Sequence, residues 1–226
     1  MSSRRRTIAE ARFPGGPAFQ SLISSWAGDA TIRILGFVWA GYDRLRSDIL
    51  DHVNAAKADE DLERSVTQLI EPRIREAMSG DEPFDIQHGS YEEETREAPP
   101  AQPPQYDLAF VLRANPRIMW PLEAKLVRGK GDVSRYIRAI RENFLTCRYA
   151  PFSGEGAMLG YLLVSDANAV FASIEKSVPC NLIDVPEFKG RPHKRSTHSR
   201  TVPVGKNYRR VFNCHHMLMV LHPNLH

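Results

Sequence analysis

Apolar residues along this chain recur at a spacing of four in some stretches and two in others, and the changes of period mark out its elements. Over residues 42–56 they fall at Leu45, Ile49 and Val53, and over 60–78 at Leu62, Val66, Leu69, Ile70, Ile74 and Met78, predicting two amphipathic helices. Pro72 lies inside the second pattern, so a kink or interruption is expected near Glu71. Residues 80–105 turn to Gly, Pro, Glu and Gln and read as loop, with a short strand at Phe84-Asp85-Ile86. Residues 106–114 and 118–128 read as apolar strands joined by the turn-forming Asn115-Pro116-Arg117, hence a hairpin. Helical spacing returns over 133–147, an uncharged run at 157–164 suits a buried strand, 167–176 suits a helix, and 211–221 offers a last strand. That last strand follows a basic loop containing Gly and Pro. The first dozen residues lack periodicity and read as a mobile arm, while 18–26 and 32–39 carry core-quality residues of open structure. The order predicts an α/β fold, a mixed central β-sheet flanked by helices. Residues 1–58 read as an arm and helical region packed on the core, and 59–226 as the main domain with a basic C-terminal segment.

Composition changes this picture little. With 226 residues, 42% hydrophobic and 25% charged, the chain matches ordinary globular proteins and can bury a substantial core. No apolar run approaches the roughly 20 residues needed to cross a bilayer, and the N-terminus lacks an apolar signal segment, so a cytoplasmic, membrane-free protein is expected. Cys147, Cys180 and Cys214 are too few and scattered for a disulfide framework and fit reduced thiols. The net charge of +3 identifies no partner, but its distribution is uneven. Acids cluster at Glu92, Glu93, Glu94 and Glu97, whereas Lys189, Arg191, Lys194, Arg195, Arg200, Lys206, Arg209 and Arg210 crowd a late segment that suits either phosphate contact or plain solvation.

The hairpin carries the chemistry. With its turn centred on Asn115, positions summing to 230 face one another, so Asp107 stands opposite Glu123 with Cβ atoms about 5 Å apart. Alternation puts Lys125 on the face of Glu123, and Leu122, Ala124 and Leu126 on the other. Two carboxylates this close repel unless a cation joins them. Carboxylate oxygens, a backbone carbonyl such as that of Ala124, and water form a ligand set for Mg²⁺ or Mn²⁺ rather than zinc. The Lys125 ammonium suits holding an attacking water and stabilising charge on a phosphate. The bland alternative is an exposed ion pair on an edge strand, but Glu123 and Lys125 sit between Ile118-Met119-Trp120 and Leu126-Val127, where burial is expected. Pro121 donates no ladder hydrogen bond and implies a bulge or an unpaired side.

Asp107, fifteen intervening residues and Glu123-Ala124-Lys125 on apolar strands resemble the PD-(D/E)xK, or restriction-endonuclease-like, nuclease superfamily. The resemblance spans about residues 60–165 and implies a restriction-endonuclease-like core. It also implies Asp107 and Glu123 as Mg²⁺ ligands and Lys125 as a catalytic residue. Glu63 resembles the helix-borne Glu found in many members, with Glu71 a second candidate. Tyr106 stands where the motif has Pro, although Pro104 is close. The resemblance favours DNA over RNA and implies an effector of bacterial defence or a repair nuclease, with a partner protein or trigger; a homo-oligomer is also open. An alternative is a catalytically silent nuclease-like subunit that binds nucleic acid or assembles.

Weaker patterns complete the reading. Tyr136, Arg138, Arg141 and Arg148 interleave aromatic and basic residues as a nucleic-acid-contacting helix would, or simply give a helix its polar face. Lys194, Arg195 and Arg200 are the candidate phosphate contacts of the late segment. Cys180, His193, His198, Cys214, His215 and His216 offer zinc-binding atoms at no established spacing, leaving a zinc-stabilised interaction module as a second rival.

Overall fold

The computed structural model describes residues 29–48, 58–96, 102–129, 131, 133–163, 166–178 and 181–221, with Phe19, Ser21 and Ser24 before them. The expected N-terminal arm, Val53, Glu97 and Cys180 lie outside the described residues. Seven strands form one mixed sheet: β1 Phe84–His88, β2 Leu108–Leu112, β3 Met119–Val127, β4 Glu155–Leu162, β5 Ile183–Asp184, β6 His193–Ser199 and β7 Val211–Val220. Their spatial order is β1-β2-β3-β4-β7-β6-β5, with β3, β4 and β7 mutually parallel and every other pair antiparallel. The fold is therefore α/β.

Alternation along the strands sends side chains to two cores. Leu108, Phe110, Leu122, Ala124, Ala157 and Leu159 pack beneath α1 (Asp29–Asp48) and α2 (Asp59–Ala77). Ala109, Val111, Val127, Met158 and Leu218 pack beneath α3 (Ser134–Ala139) and α4 (Ala167–Ser177). Helix α1 runs through residues 32–39, whose structure the apolar pattern leaves open, and is described as far as Asp48 of the expected 42–56 helix. Helix α2 passes through Pro72 without the expected interruption. Pro72 is exposed, so the carbonyl left without a partner by its missing N–H faces water.

The α1–α2 crossing is tight at Gly41, where a Cβ would come within 2.5 Å of Ile74 Cγ1 and 2.9 Å of its backbone nitrogen. Because a backbone atom cannot swing aside, Gly41→Ala is expected to cost about 1–3 kcal/mol through overpacking. Urea denaturation of the two proteins checks this, and an unchanged midpoint contradicts it.

The short strand expected at Phe84-Asp85-Ile86 is the edge strand β1, which runs on to His88 in full register with β2 from Phe84↔Leu112 to His88↔Leu108. Two other expectations are corrected. The helix expected over 133–147 is α-helical only over Ser134–Ala139 and continues as a π-turn over Ile140–Phe144, the Leu145 N–H reaching the Ile140 carbonyl at 3.0 Å. The basic loop before the last strand contains β5 and β6, with His193 opposite Met217 and Ser199 opposite Val211.

Pro121 makes no bulge. The β2–β3 pairs Leu108↔Leu122, Ala109↔Pro121, Phe110↔Trp120 and Val111↔Met119 all sum to 230. The Leu112 N–H bonds the Ile118 carbonyl at 3.0 Å, so even-numbered positions of β3 face β2, and the Pro121 nitrogen faces β4 instead. Pairing with β4 begins one residue later, at Leu122↔Ala157. Gly156 lets the strands close at that point, since a Cβ there would lie 3.1 Å from the Pro121 carbonyl oxygen.

Candidate active site

Strand β3 is nine residues long and β2 only five, so β3 overhangs its neighbour. Asp107 bends away just before β2, and the parity of the ladder leaves the N–H groups of Ala124 and Leu126 pointing into the resulting gap. Side chains take the place of the missing strand. Asp107 Oδ2 accepts from Ala124 N at 2.7 Å, and Glu63 Oε2, reaching over from α2, accepts from Leu126 N at 2.8 Å. These charge-assisted bonds fix both carboxylates at the notch.

Between them stands Lys125. Its Nζ lies 2.8 Å from Glu123 Oε1, 3.2 Å from Glu63 Oε1 and 3.6 Å from Asp107 Oδ2, and it donates to the Ala124 carbonyl. The four residues expected at a catalytic centre are thus brought together, with Ala124 beside them. Glu71, the second candidate on α2, is turned away and pairs with Arg75.

Burial and charge act strongly here. Glu123 is 6% exposed, and its pKa is raised from the ordinary 4.5 to about 8, first by burial and then by the Asp107 carboxylate. Burial alone would lower the Lys125 pKa, but Glu123, Asp107 and Glu63 together raise it, so Lys125 remains an ammonium ion. Because folded Glu123 holds its proton more tightly than the unfolded chain does, its contribution to stability is full below about pH 4.5. That contribution is lost as pH rises through about 8. In EDTA the melting temperature of Glu123→Gln should therefore gain on the parent between pH 5 and 9. Parallel curves by calorimetry would remove Glu123 as the cause.

The cluster forms part of the wall of an open cleft of about 490 Å³. Arg64, Arg135 and Arg138 also line it. Arg135 lies 3.3 Å from Asp59 and 3.8 Å from Glu63, and Arg138 is exposed. Arg138 also borders an adjoining groove of about 370 Å³ with Arg141, which donates to the Ser177 carbonyl at 2.6 Å. Of the proposed nucleic-acid contacts, then, Arg138 lines the cleft and Arg141 the groove beside it.

Lys194, Arg195 and Arg200 are not at the cleft. Lys194 shares a face and a cross-strand row with Glu123, through Met158 and His216, but lies three strands away and pairs with Asp184 at 2.9 Å. Arg195 is in register with His215, Ala157 and Leu122, on the opposite face. Arg200, expected at a phosphate surface, is 6% exposed and bonds the carbonyls of Phe144, Tyr149, Ala150 and Ser153 at 2.8–2.9 Å. Two more of the late basic residues are engaged within the protein, Arg191 with Asp43 and Lys206 with Glu94, while Lys189, Arg209 and Arg210 are exposed. Within the acidic run Glu92 and Glu94 turn inward, since Glu94 also meets Arg117 and Tyr208 and Glu92 is 2% exposed, whereas Glu93 stays exposed.

Sequence reasoning passes over Tyr149 and the function of Tyr106. Tyr149 donates to the Gln105 carbonyl and faces Glu123, whose charge, after burial, raises the phenol pKa. Tyr106 is fully buried, donates to Glu92 and accepts from Ala150 N at 2.9 Å, anchoring the chain beside Asp107. Only the position of Tyr106 beside Asp107 signals it, and nothing in the local pattern marks Tyr149.

In this arrangement the carboxylates surround an ammonium. Among the described residues no group of three or more His, Cys, Asp or Glu side chains is arranged to hold a metal ion. Nor is any described helix long and apolar enough to cross a membrane. Comparison of the chain with models of protein families, with curated proteins and with solved structures gives no match.

Proposed function

We propose that this protein is a metal-dependent nuclease with a restriction-endonuclease-like core, cutting phosphodiester bonds in DNA rather than RNA. The carrying observation is that the Lys125 ammonium stands 2.8–3.6 Å from three carboxylates at a strand notch opening on an arginine-lined cleft. The donor chemistry fits a hard cation, because Asp107, Glu123, Glu63 and the Ala124 carbonyl offer oxygen donors and burial beside Asp107 holds Glu123 well above its ordinary pKa. Asp107 and Glu123, with the Ala124 carbonyl, would hold Mg²⁺ or Mn²⁺, and Glu63 would stand behind them as an outer or third ligand. When bound, such an ion polarises the phosphate and lowers the pKa of its water.

The chain's own residues do the rest. Lys125, kept charged by its neighbours, is suited to donating hydrogen bonds to the attacking water and to phosphate oxygen, not to abstracting a proton. Tyr149 faces Glu123, and Arg64 and Arg138, which line the cleft, would hold backbone phosphates there. A cytoplasmic role in bacterial defence or repair, with a partner protein or a second copy of the chain, belongs to this proposal through the superfamily resemblance.

A second reading has an observation of its own. Asp107 and Glu63 close the open edge of β3, which a catalytically silent nucleic-acid-binding or assembly subunit would also need. Plasmid and linear DNA incubated with the purified protein in Mg²⁺, Mn²⁺ or EDTA decides between them. Cutting in either metal and none in EDTA is expected; intact DNA that is nevertheless retained in a gel-shift assay supports the silent subunit.

A further inference from the structure

On the other face of the sheet lies a second cavity, of about 340 Å³, whose wall includes Thr31, Glu155, Glu187, Arg195 and His215. Its size falls within the usual range for small-molecule sites. A chain of hydrogen bonds fixes what His215 offers there. Trp39 Nε1 is only a donor and lies 3.2 Å from His193 Nδ1, so that nitrogen accepts and the proton of neutral His193 sits on Nε2. His193 Nε2 donates in turn to His215 Nδ1 at 3.2 Å. His215 must then carry its own proton on Nε2, and that N–H is buried without a partner in a residue 2% exposed. Burial and Arg195 hold His215 neutral, and burial does the same for His193.

Arg195 presents a second orphan. Its Nε is buried without a hydrogen-bond partner, and among the described residues its guanidinium makes no ion pair. Three acids, Glu155, Asp184 and Glu187, share the cavity wall, and among the described residues none of them pairs with Arg195. Glu155 receives Thr31 on one oxygen and Asn213 on the other, at 3.1 Å, and Asp184 holds Lys194 at 2.9 Å, which leaves Glu187 exposed. Buried donors without acceptors are rare, and here two belong to residues that line one cavity, one of them cationic, which calls for an acceptor from outside.

We propose that this cavity is a binding site for the oxyanion group, phosphate or carboxylate, of a small molecule, held by Arg195 and by the Nε2–H of His215. It lies apart from the carboxylate cleft and does not rest on the nuclease reading. Titration calorimetry with inorganic phosphate, adenosine monophosphate and succinate tests it, alongside ¹⁵N NMR of the histidine rings. At least one probe should bind, Arg195→Gln should weaken it about tenfold or more, and Asp107→Asn should leave it unchanged. Free protein should show His215 protonated on Nε2, with that signal moving on saturation. Phosphate and adenosine monophosphate without succinate identify a phosphate site, and succinate alone a carboxylate site. The proposal is overturned if no probe binds, if binding survives Arg195→Gln undiminished, or if the His215 signal does not move. Should Arg195→Gln fail to fold, the His215 signal of the parent protein decides the matter.

Discussion

Asp107→Asn and Lys125→Ala should each reduce metal-dependent DNA cleavage by about 10²–10³-fold or more, the cost of removing one preorganised electrostatic group from a reaction centre. The two substitutions remove different things. Asp107→Asn keeps an oxygen to accept from Ala124 N, so the notch stays closed while the negative charge is lost. Lys125→Ala leaves three carboxylates without their shared ammonium, so its loss of activity should come with lower stability in EDTA, partly restored by Mg²⁺. Cleavage rates under single-turnover conditions, with melting curves at matched metal concentrations, measure both effects. Cutting that survives both substitutions would falsify the assignment of the centre.

Arg200→Met should be the most destabilising substitution proposed, costing about 4 kcal/mol because it leaves the buried Tyr149 and Ser153 carbonyls without their donor, at about 1–3 kcal/mol each, and reduces those of Phe144 and Ala150 to single backbone donors. The guanidinium ties Phe144, Tyr149, Ala150 and Ser153 together. Within that segment Cys147 and Ala150 hold positive φ angles of 62° and 49°, conformations that non-glycine residues keep only under constraint. Release of the segment would also free Tyr149, which faces Glu123. Unfolding in urea should thus show a lowered midpoint, and any folded fraction should show weakened activity. An unfolding free energy within about 1 kcal/mol of the parent's would mean that the segment holds its shape without Arg200.

The parts of the site built from local rules are legible in the sequence. Turn residues at Asn115-Pro116-Arg117 set the hairpin, and period-two alternation puts Glu123 and Lys125 on one face and Leu122, Ala124 and Leu126 on the other. Pro121 is harder to read, because whether a proline disrupts a ladder depends on which neighbour its nitrogen faces. What stays hidden depends on distant contacts. Strand β6 reads as a polar, basic stretch because its buried positions are His193, Ser196 and His198, whose polarity is met by partners across the sheet. Arg200 looks like any solvated arginine until the carbonyls that enclose it are assembled. Likewise, Glu92 sits in an acidic run that looks exposed, and only Tyr106, fourteen residues away, gives it a buried place.

The overhang of β3 bears on how related chains should be read. An unpaired strand edge invites another strand to dock, and Asp107 and Glu63 block that by occupying the N–H groups of Ala124 and Leu126. A lineage that had given up catalysis would still be selected to keep these two acids, simply to stay monodisperse. Glu123 has no such second duty, since among the described residues its carboxylate accepts from no backbone N–H. Under the nuclease proposal, retention of Glu123 among descendants is therefore the better marker of activity, and its loss beside intact Asp107 and Glu63 the signature of a chain that no longer cuts.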